Sequence, residues 1–411
     1  MDIAGARRSL AGLLVTWGLT RVVLLLFVFK VWIFPGPDVT SDVSVIYQGW
    51  YEVLRTGTFP LGDVTWQYPP AAALAILSPA LLPFLQYASA FFVLACVADL
   101  AVLALLLYTG LRPGKSLRGA WMWVVGVPLV GPTVYARYDV MVTAVAVAGL
   151  LAGARRPRVM GVLVGFAAML KVWPALLLLG ARKWTAWAWT AGTVAVLAGL
   201  FAVSMPGAFA FLTFQSNRGT EVESLGSLVF HVARHFGWDG RVLFNYGSIE
   251  FVGPWVNAVS SAALFLTGVA FGWLLLWRLM ATRFLPSTLA DAAFAAVLMF
   301  TVTSRVISPQ YMVWLVGLGA VCVCFRGTRM GLPALLVLAA CLVTVLEFPL
   351  WFQHVVASDR LGVTLLFLRN GLLVAAAVCT AVQLWRSTVP RTQVPTLPAQ
   401  TPRTKETTTS T

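Results

Sequence analysis

Residues 86–111 read QYASAFFVLACVADLAVLALLLYTGL, and this stretch indicates the fold class. It is long enough to cross the hydrocarbon core of a bilayer as an α-helix, which takes about 20 apolar residues. Asp99 is its one charged side chain. Because a bilayer offers the backbone no hydrogen-bond partners, a spanning segment must satisfy its own N–H and C=O groups. The stretch therefore predicts a transmembrane helix.

Comparable apolar runs recur along the chain and predict an all-α, polytopic membrane protein. They lie near residues 9–33, 86–111, 119–136, 138–153, 185–204, 251–277, 287–303, 310–325, 330–348 and 361–385. The chain is 59% hydrophobic and 11% charged, with a mean hydropathy of +0.85. A soluble domain has about 25% charged residues. Too little polar sequence is present to cover a water-soluble globule.

Short basic clusters separate the apolar runs and predict the orientation. The clusters contain Arg112, Lys115, Arg118, Arg155, Arg156, Arg158, Arg182, Lys183, Arg278, Arg283, Arg326 and Arg329. Lys and Arg are retained on the cytoplasmic side of a membrane. Placing every cluster there puts both termini in the cytoplasm and gives ten full crossings. The net charge of +14 is then explained by orientation, and no nucleic-acid partner is expected.

Two stretches widen the predicted count to ten to twelve transmembrane helices. Residues 159–181 lie between two basic clusters and must cross an even number of times, so we expect a re-entrant pair of short helices broken at Lys171–Pro174. Residues 68–85 form either an interfacial helix or a short span. We expect residues 1–387 to form one membrane domain. The Thr- and Pro-rich residues 388–411 predict a disordered cytoplasmic tail.

The two long loops, residues 35–67 and 205–250, both fall on the outer face. Long loops on one face commonly carry binding and catalytic residues. The first contains Asp38, Asp42 and Tyr47 soon after the first span. A carboxylate at this interface is a candidate general base for the hydroxyl group of a lipid-borne substrate. Residue chemistry alone leaves Asp38 and Asp42 as equal alternatives, and by itself it favours a solvated loop acid or a helix cap for either.

Ionisable residues at membrane depth are the second group of candidates. Arg137 and Asp139 stand at the outer end of the third crossing, and Lys171 lies at the predicted helix break. Such residues are costly in a bilayer and usually mark substrate sites. The alternatives are a helix cap for the Arg137–Asp139 pair and snorkelling to the surface for Lys171.

Two further polar segments complete the candidates for substrate binding. Residues 215–224 combine Arg218, Glu221 and Glu223, a set suited to phosphate and sugar hydroxyl groups. Residues 304–314 place polar side chains and a proline between two crossings, which implies backbone that lines a cavity. Arg305 in this segment is a candidate phosphate partner.

The sequence contains no motif for a metal or for a nucleotide. The cysteines lie inside apolar runs, and His231, His235 and His354 form no ligand pattern. Neither a P-loop nor a dinucleotide-binding glycine motif is present. We therefore expect no cofactor, and whether a metal assists stays open.

Several short motifs, in order, resemble glycosyltransferase family 87, a group of multispanning GT-C type enzymes common in actinobacteria. They are Asp42–Tyr47 with Tyr68-Pro69-Pro70, Lys171–Pro174, Arg218–Ser224 and Ser308–Tyr311. Together they cover roughly residues 10–385. The resemblance adds Gln310 and Tyr311 to the substrate-binding candidates.

The resemblance implies transfer of a sugar from a polyprenyl-phosphate donor to a glycolipid or cell-envelope glycan on the outer face of the plasma membrane. The sugar in this family is mannose and in some members arabinose. The essential acid of the first outer loop corresponds to Asp42 rather than Asp38. The members that elongate phosphatidylinositol mannosides have histidines near Gln310 and Tyr311. This chain lacks them, so the resemblance gives no support for that acceptor or for a histidine-assisted mechanism.

The predicted reaction is attack of an acceptor hydroxyl, deprotonated by Asp42, on the anomeric carbon of the lipid-linked sugar. Arg137, Lys171, Arg218 and Arg305 are the predicted partners of the departing phosphate. Tyr47, Glu221 and Glu223 are predicted to orient sugar hydroxyls. The main alternative is a lipid or solute transporter, although the two related halves typical of transporters are not evident. A further alternative is a family member that binds polyprenyl lipids without catalysis.

Overall fold

The computed structural model describes residues 3–216 and 218–390, so nearly all of the predicted tail lies outside the described residues. The chain is almost entirely helical. Its α-helices are α1 (Ile3–Val28), α2 (Gln48–Leu54), α3 (Ala72–Leu77), α4 (Tyr87–Gly110), α5 (Arg118–Val130), α6 (Asp139–Gly153), α7 (Pro157–Leu170), α8 (Trp184–Ser204), α9 (Phe211–Ser216), α10 (Leu228–Ala233), α11 (Val256–Met280), α12 (Thr288–Thr303), α13 (Tyr311–Val323), α14 (Gly331–Val345), α15 (Phe352–Ala357) and α16 (Arg360–Thr388).

Short stretches with 3₁₀ or π geometry extend or link these helices. They are Asp42–Tyr47, Ser78–Leu81, Gly131–Val134, Trp173–Gly180, Arg234–Phe236 and Leu346–Leu350. A small antiparallel sheet consists of β1 (Thr220–Glu221), β2 (Arg241–Asn245) and β3 (Ser248–Val252), in the order β1-β3-β2.

Six helices in the described chain are long and apolar enough to cross a membrane. They are Ser9–Val28, Tyr87–Gly110, Trp184–Ser204, Val256–Met280, Gly331–Leu350 and Arg360–Thr388. Two of them, α8 and α11, bury little of their surface and expose large apolar side chains such as Val203 (91%) and Phe265 (72%). Lipid must be the solvent for such faces. The prediction of an all-α polytopic membrane protein is confirmed.

Five further helices are apolar but short. The helices α5, α6, α7, α12 and α13 have 13 to 16 residues, or about 20–24 Å at 1.5 Å per residue. A hydrocarbon core is about 30 Å thick. We infer that their connecting turns, residues 135–138, 171–172 and 304–310, lie within the depth of the membrane. The total of ten to twelve crossings stays a prediction.

The helix break predicted at Lys171 is present. The helix α7 ends at Leu170, Lys171 is extended, and a 3₁₀ segment runs from Trp173 to Gly180. Pro174 explains the break, since it lacks the N–H that would continue the helix. The other uncertain stretch, residues 68–85, contains α3 and a 3₁₀ turn, too short together to span a bilayer.

The helix α13 lies at the centre of the bundle, where every residue from Met312 to Cys322 is buried. It packs closely against α5 through glycine. A Cβ on Gly119 would lie 2.3 Å from the carbonyl oxygen of Ala320, and one on Gly126 would lie 2.5 Å from Val316 Cγ1. These glycines allow the two short helices to approach, which fixes the position of the turn at the end of α5.

Asp99 forms a buried ion pair with Arg21 within the membrane-spanning bundle. Arg21 of α1 bonds both carboxylate oxygens of Asp99 on α4, with Nε at 2.7 Å and Nη2 at 3.2 Å. The same carboxylate accepts hydrogen bonds from Trp123 Nε1 at 2.6 Å and Tyr135 Oη at 2.5 Å. Both charged side chains are almost fully buried, and these bonds offset the cost of placing them there.

Arg21 also donates a hydrogen bond to a backbone carbonyl of α5 that has no donor within the helix. Pro128 lies inside this helix and cannot donate to the carbonyl of Val124, four residues earlier. Arg21 Nη1 donates to that carbonyl at 2.8 Å. One arginine thereby joins α1, α4 and α5 and satisfies a backbone group that the proline leaves free.

The sheet, which lies within the long segment of residues 205–252, was not predicted from the sequence. Its strands are short, and β3 buries polar residues where an amphipathic strand would bury apolar ones: Ser248 and Glu250 are both buried. Glu250 accepts from the backbone N–H of Gly219 at 3.1 Å. Because the buried face is stabilised by polar contacts, the alternating pattern of a half-buried strand is absent.

Candidate active site

The long loop of residues 35–67 and the turn between α5 and α6 meet at an ion pair. Asp42 begins the π-helical stretch that continues into α2, and its Oδ2 lies 2.7 Å from Arg137 Nη2. Arg137 Nη1 donates to the carbonyls of Ala136 at 2.7 Å and Val39 at 3.1 Å, so its guanidinium is fixed. The Asp42 side chain is 33% exposed and that of Arg137 is 11% exposed. Asp42 is thus anchored and still accessible.

Asp38, the alternative base, has a different environment. Its carboxylate accepts from Lys30 Nζ at 2.8 Å and from the backbone N–H and hydroxyl of Thr40 at 2.9 and 2.6 Å. Partial burial opposes the effect, yet these donors together lower the pKa of Asp38. Asp38 caps the turn that leads to Asp42.

A second ion pair lies where α6 begins and α7 ends. Asp139 Oδ1 is 2.7 Å from Lys171 Nζ and accepts from Trp314 Nε1 of α13, also at 2.7 Å. Asp139 is 1% exposed, and the Lys171 side chain is 12% exposed. One carboxylate therefore holds together three elements, α6, α13 and the break after α7.

Aromatic rings surround the ammonium group of Lys171. The ring centroids of Tyr68, Tyr138 and Tyr311 lie 5.4 Å from Nζ, and that of Trp314 lies 5.0 Å away. Rings at this distance attract a cation. Together with Asp139 they hold a charge in an otherwise apolar region, and Lys171 does not snorkel to the surface.

Tyr47 and Tyr311 add phenol groups to the same region. The ring of Tyr47 stacks on Trp50 at 5.4 Å, and its hydroxyl is buried without a hydrogen-bond partner among the described residues. Tyr311 stacks on Trp314 at 4.0 Å. Gln310, which precedes it, is half-buried. A buried hydroxyl without a partner is costly in a native protein, and the Tyr47 hydroxyl is therefore available to a ligand.

Arg218 and Arg305 extend the site on the side of the long segment of residues 205–250. Arg218 Nη2 donates to Ser248 Oγ at 2.8 Å, and its Nε lies 3.7 Å from Glu250 Oε1. The Arg218 guanidinium lies close enough to interact electrostatically with Lys171 and Tyr311. Arg305 Nη1 and Nη2 donate to the carbonyls of Arg218 at 2.7 Å and Gln215 at 3.1 Å. Arg305 therefore positions the segment that carries Arg218.

Glu221 contacts the turn between α12 and α13. Its Oε2 accepts from the backbone N–H of Ile307 at 2.6 Å, and its Oε1 accepts from Ser308 Oγ at 3.1 Å. Burial raises the pKa of Glu221 to about 7, although these donors and the charge of Arg218 oppose the shift. Both carboxylate oxygens already have protein partners, so the observed contacts of Glu221 are with the protein scaffold.

Glu223 lies behind this turn, in a cluster with Glu347 and Arg369. Arg369 bonds Glu347 through Nη2 at 2.7 Å and Nε at 3.1 Å, and its Nη2 is 4.0 Å from Glu223 Oε1. Arg369 Nη2 also donates to the Glu223 carbonyl at 2.8 Å. All three side chains are at least nine-tenths buried. Glu223 does not join Asp42 and Lys171.

The histidines have local structural contacts. His231 Nε2 lies 2.7 Å from the Val222 carbonyl and Nδ1 lies 2.7 Å from Ser358 Oγ. Burial lowers its pKa to about 4, so it is neutral at physiological pH. In the described part of the chain, no group of three or more His, Cys, Asp or Glu side chains is suited to a metal ion.

The structure thus brings together most of the predicted site. The residues that form one cluster are Asp42, Tyr47, Arg137, Asp139, Lys171, Arg218 and Tyr311, with Gln310 beside them. Arg305, Glu221 and Glu223 hold the surrounding segments. Sequence reasoning missed Trp314 and Tyr138 as partners of this group, and missed Glu250, Glu347 and Arg369. The sequence indicates whether each of these residues lies in a polar segment or in an apolar helix. It does not indicate which residues far apart in the sequence are in contact.

The comparisons with known proteins give one match. The family model for glycosyltransferase family 87 matches residues 66–309, more than half of the chain. No curated protein and no solved structure matches. The matched region contains Arg137, Asp139, Lys171 and Arg218, whereas Asp42 and Tyr47 precede it. The chain belongs to glycosyltransferase family 87 and is a multi-pass membrane glycosyltransferase.

Proposed function

We propose that this glycosyltransferase transfers a hexose, with mannose as the first candidate, from a polyprenyl-phosphate sugar. The acceptor is a glycolipid or a glycan of the cell envelope. Transfer takes place on the outer face of the plasma membrane, where the long loops lie once the basic clusters are assigned to the cytoplasm. Membrane lipids surround the protein, and the donor reaches the site with its isoprenoid chain in the bilayer.

The observation that carries the proposal is the pair Asp42–Arg137 beside the pair Asp139–Lys171. Asp42 is the partly exposed carboxylate of this group, and its partner Arg137 is fixed by two backbone carbonyls. Asp42 takes the proton of the acceptor hydroxyl as that oxygen bonds to the anomeric carbon. The bond from this carbon to the phosphate oxygen breaks, and polyprenyl phosphate leaves. A single displacement inverts the anomeric centre.

The cations of this cluster stabilise the departing phosphate. Arg137, Lys171 and Arg218 are preorganised by Asp42, Asp139 and Glu250, so little rearrangement is needed as charge develops. Arg305 acts on the same phosphate mainly through the backbone of Arg218. Tyr47, Asp139, Gln310 and Tyr311 are the proposed partners of sugar hydroxyls. Glu221 and Glu223 keep a proposed role in sugar binding, although their protein contacts favour support of the surrounding backbone.

The experiment uses purified full-length protein in nanodiscs with synthetic polyprenyl-phosphate mannose and a glycolipid extract from the host. Release of polyprenyl phosphate and formation of a hexose-extended lipid are measured for wild type, Asp42→Asn and Asp38→Asn. We expect Asp42→Asn to lose at least about 100-fold in turnover, the typical contribution of a general base. Asp38→Asn, the matched control, should retain most of the activity.

Each outcome has a separate meaning. Turnover that survives Asp42→Asn would contradict the assignment of the base while leaving the transfer reaction in place. Turnover with polyprenyl-phosphate arabinose alone would replace the sugar. The absence of turnover with any polyprenyl-phosphate sugar would contradict the donor class and favour a lipid-binding family member or a transporter.

A further inference from the structure

A cavity of about 320 Å³ lies at the end of the bundle opposite the candidate active site. It is lined by the connection between α6 and α7, the segment 180–186 before and within α8, and residues 284–289 before and at the start of α12. The helices α6, α7 and α12 run from this cavity to the active-site turns. Their 14 to 16 residues separate the two sites by about 20 Å.

Cations line the cavity or adjoin its lining residues in sequence. Arg182 and Lys183 line it, Arg155 and Arg156 flank its lining residues, and Arg283 adjoins the lining residue Phe284. None of these side chains forms an ion pair with a carboxylate in the described part of the chain. Asp291, the acid in the first turn of α12, is buried and accepts from Thr328. The local charge is therefore strongly positive.

Phe284, a lining residue, contacts the lining residue Arg182 and a further cation, Arg278, which lies outside the lining itself. The guanidinium carbon of Arg182 lies 5.0 Å from the centroid of Phe284, and that of Arg278 lies 5.2 Å away. The hydrogen bond of Arg278 in the structure is a long one, 3.5 Å to the carbonyl of Ala181. Most N–H donors of this pair thus have no protein partner within residues 3–216 and 218–390. A pair of guanidiniums held in this way is suited to a phosphate group.

The backbone adds to this positive field. The helices α7, α8 and α12 begin at Pro157, Trp184 and Thr288, all at or next to the lining of the cavity. The N-terminus of a helix carries partial positive charge. The three starts therefore reinforce the charge of the arginines and do not compensate it.

The surroundings indicate a lipid and not a soluble anion. Trp184 is 78% exposed at the start of α8, and Leu279 is 74% exposed near the end of α11. Tryptophan residues at the ends of transmembrane helices are enriched at the bilayer–water boundary. The lining also includes the apolar Met160, Leu285 and Leu289, which suit a glycerol backbone and the first acyl carbons.

We propose that this cavity binds the phosphate headgroup of an anionic phospholipid in the leaflet at the basic end of the bundle. Basic pockets between transmembrane helices are known to suit such headgroups. The orientation of the protein in the membrane explains why the loops at this end are basic. It does not explain why a cavity is present or why Arg182 and Arg278 both contact the Phe284 ring. The proposal is independent of glycosyl transfer.

The test is a lipid titration of the purified full-length protein, followed by native mass spectrometry. Phosphatidylglycerol and phosphatidylcholine with the same acyl chains are compared on wild type and on Arg182→Gln/Arg278→Gln. The matched control is Arg326→Gln/Arg329→Gln, which removes two exposed arginines from the same end but outside the cavity. Thermal melting in detergent first establishes that each variant is folded.

We expect wild type to bind one phosphatidylglycerol at least about tenfold more tightly than phosphatidylcholine, and the cavity variant to lose this preference while the control keeps it. If the double variant does not fold, the exposed substitution Lys183→Gln should weaken phosphatidylglycerol binding by about threefold. Equal losses in the control would overturn the proposal, as would equal binding of the two lipids to wild type. Stabilisation by glycerol 3-phosphate alone, equal to that by the lipid, would overturn the assignment to a lipid.

Discussion

At the scale of single residues, the buried charges near the active site are mostly matched one to one. Asp42 pairs with Arg137, Asp139 with Lys171 and Arg218 with Glu250. Arg369 is different because two carboxylates, Glu347 and Glu223, share its one positive charge. An excess charge in a buried cluster is unfavourable. The two glutamates should therefore differ in what their removal does to stability.

Glu347→Gln should destabilise the protein strongly, whereas Glu223→Gln should have little effect. Removing the carboxylate of Glu347 leaves the fully buried Arg369 with a partner 4.0 Å away, and breaking a buried pair costs about 3–5 kcal/mol. Removing that of Glu223 keeps the pair Arg369–Glu347 and relieves the excess charge, so the expected loss is below about 1 kcal/mol. Thermal melting in detergent measures both.

The control is Glu52→Gln, which changes an exposed carboxylate and should leave the melting temperature unchanged. Equal destabilisation by Glu223→Gln and Glu347→Gln would contradict the unequal sharing of Arg369. A larger loss for Glu223→Gln would mean that Glu223 is the principal partner of the arginine.

At the scale of elements, α5 depends on a side chain from another helix. Its internal Pro128 frees the carbonyl of Val124, and Arg21 of α1 donates to it at 2.8 Å. The helix then continues for two more residues and a 3₁₀ turn to Tyr135, which bonds Asp99. The turn that carries Arg137 is thereby tied to the ion pair in the membrane.

A double-mutant cycle should detect this dependence. Arg21→Met leaves both Asp99 and the Val124 carbonyl without Arg21, and we expect a loss of about 3–5 kcal/mol. In a Pro128→Ala background the helix supplies its own donor to Val124, so the same change should cost about 1 kcal/mol less. The readout is the thermal midpoint in detergent of the four proteins.

The matched cycle pairs Pro128→Ala with Asp99→Asn, because Asp99 makes no contact with the Val124 carbonyl. Coupling near zero in that cycle is the expected control result. If the Arg21 cycle also shows no coupling, the bond to Val124 contributes nothing to stability and α5 tolerates its proline unaided.

At the scale of the whole molecule, orientation is the prediction that still needs a direct test. We expect both termini and the basic loops in the cytoplasm, and residues 35–67 and 205–250 outside. Asp239→Cys changes an exposed residue of the outer segment, and Gly327→Cys changes an exposed glycine with open space around it. A membrane-impermeant maleimide added to intact cells should label the first variant and not the second.

Lysis should make Gly327→Cys reactive as well, which controls for access. The wild-type protein, whose own cysteines are buried or half-buried, gives the background. The reverse pattern of labelling would invert the orientation and move the proposed transfer reaction to the cytoplasmic face.

Much of this architecture could be predicted from the sequence because hydropathy reports the solvent of each helix. The long spans and the break at Lys171 follow from apolar runs and Pro174. The partners within the site could not be predicted, because Asp99 meets Arg21 and Asp139 meets Trp314 across 78 and 175 residues. The small sheet was missed since Glu250, a buried acid, breaks the pattern of a strand. Arg137 and Lys171 were predicted as site residues, but their ion-pair partners, Asp42 and Asp139, are known only from the fold.

The ion pair of Arg21 and Asp99 also has a consequence for how the protein is made. Arg21 lies within the first span, and Asp99 is synthesised 78 residues later. At about 5–20 residues per second, the ribosome takes roughly 4–16 seconds to supply the partner. An arginine at the centre of a span costs about 2.5–3.5 kcal/mol on the insertion scale. The first helix is therefore expected to remain beside the translocon until α4 emerges, so that the two helices enter the lipid phase together.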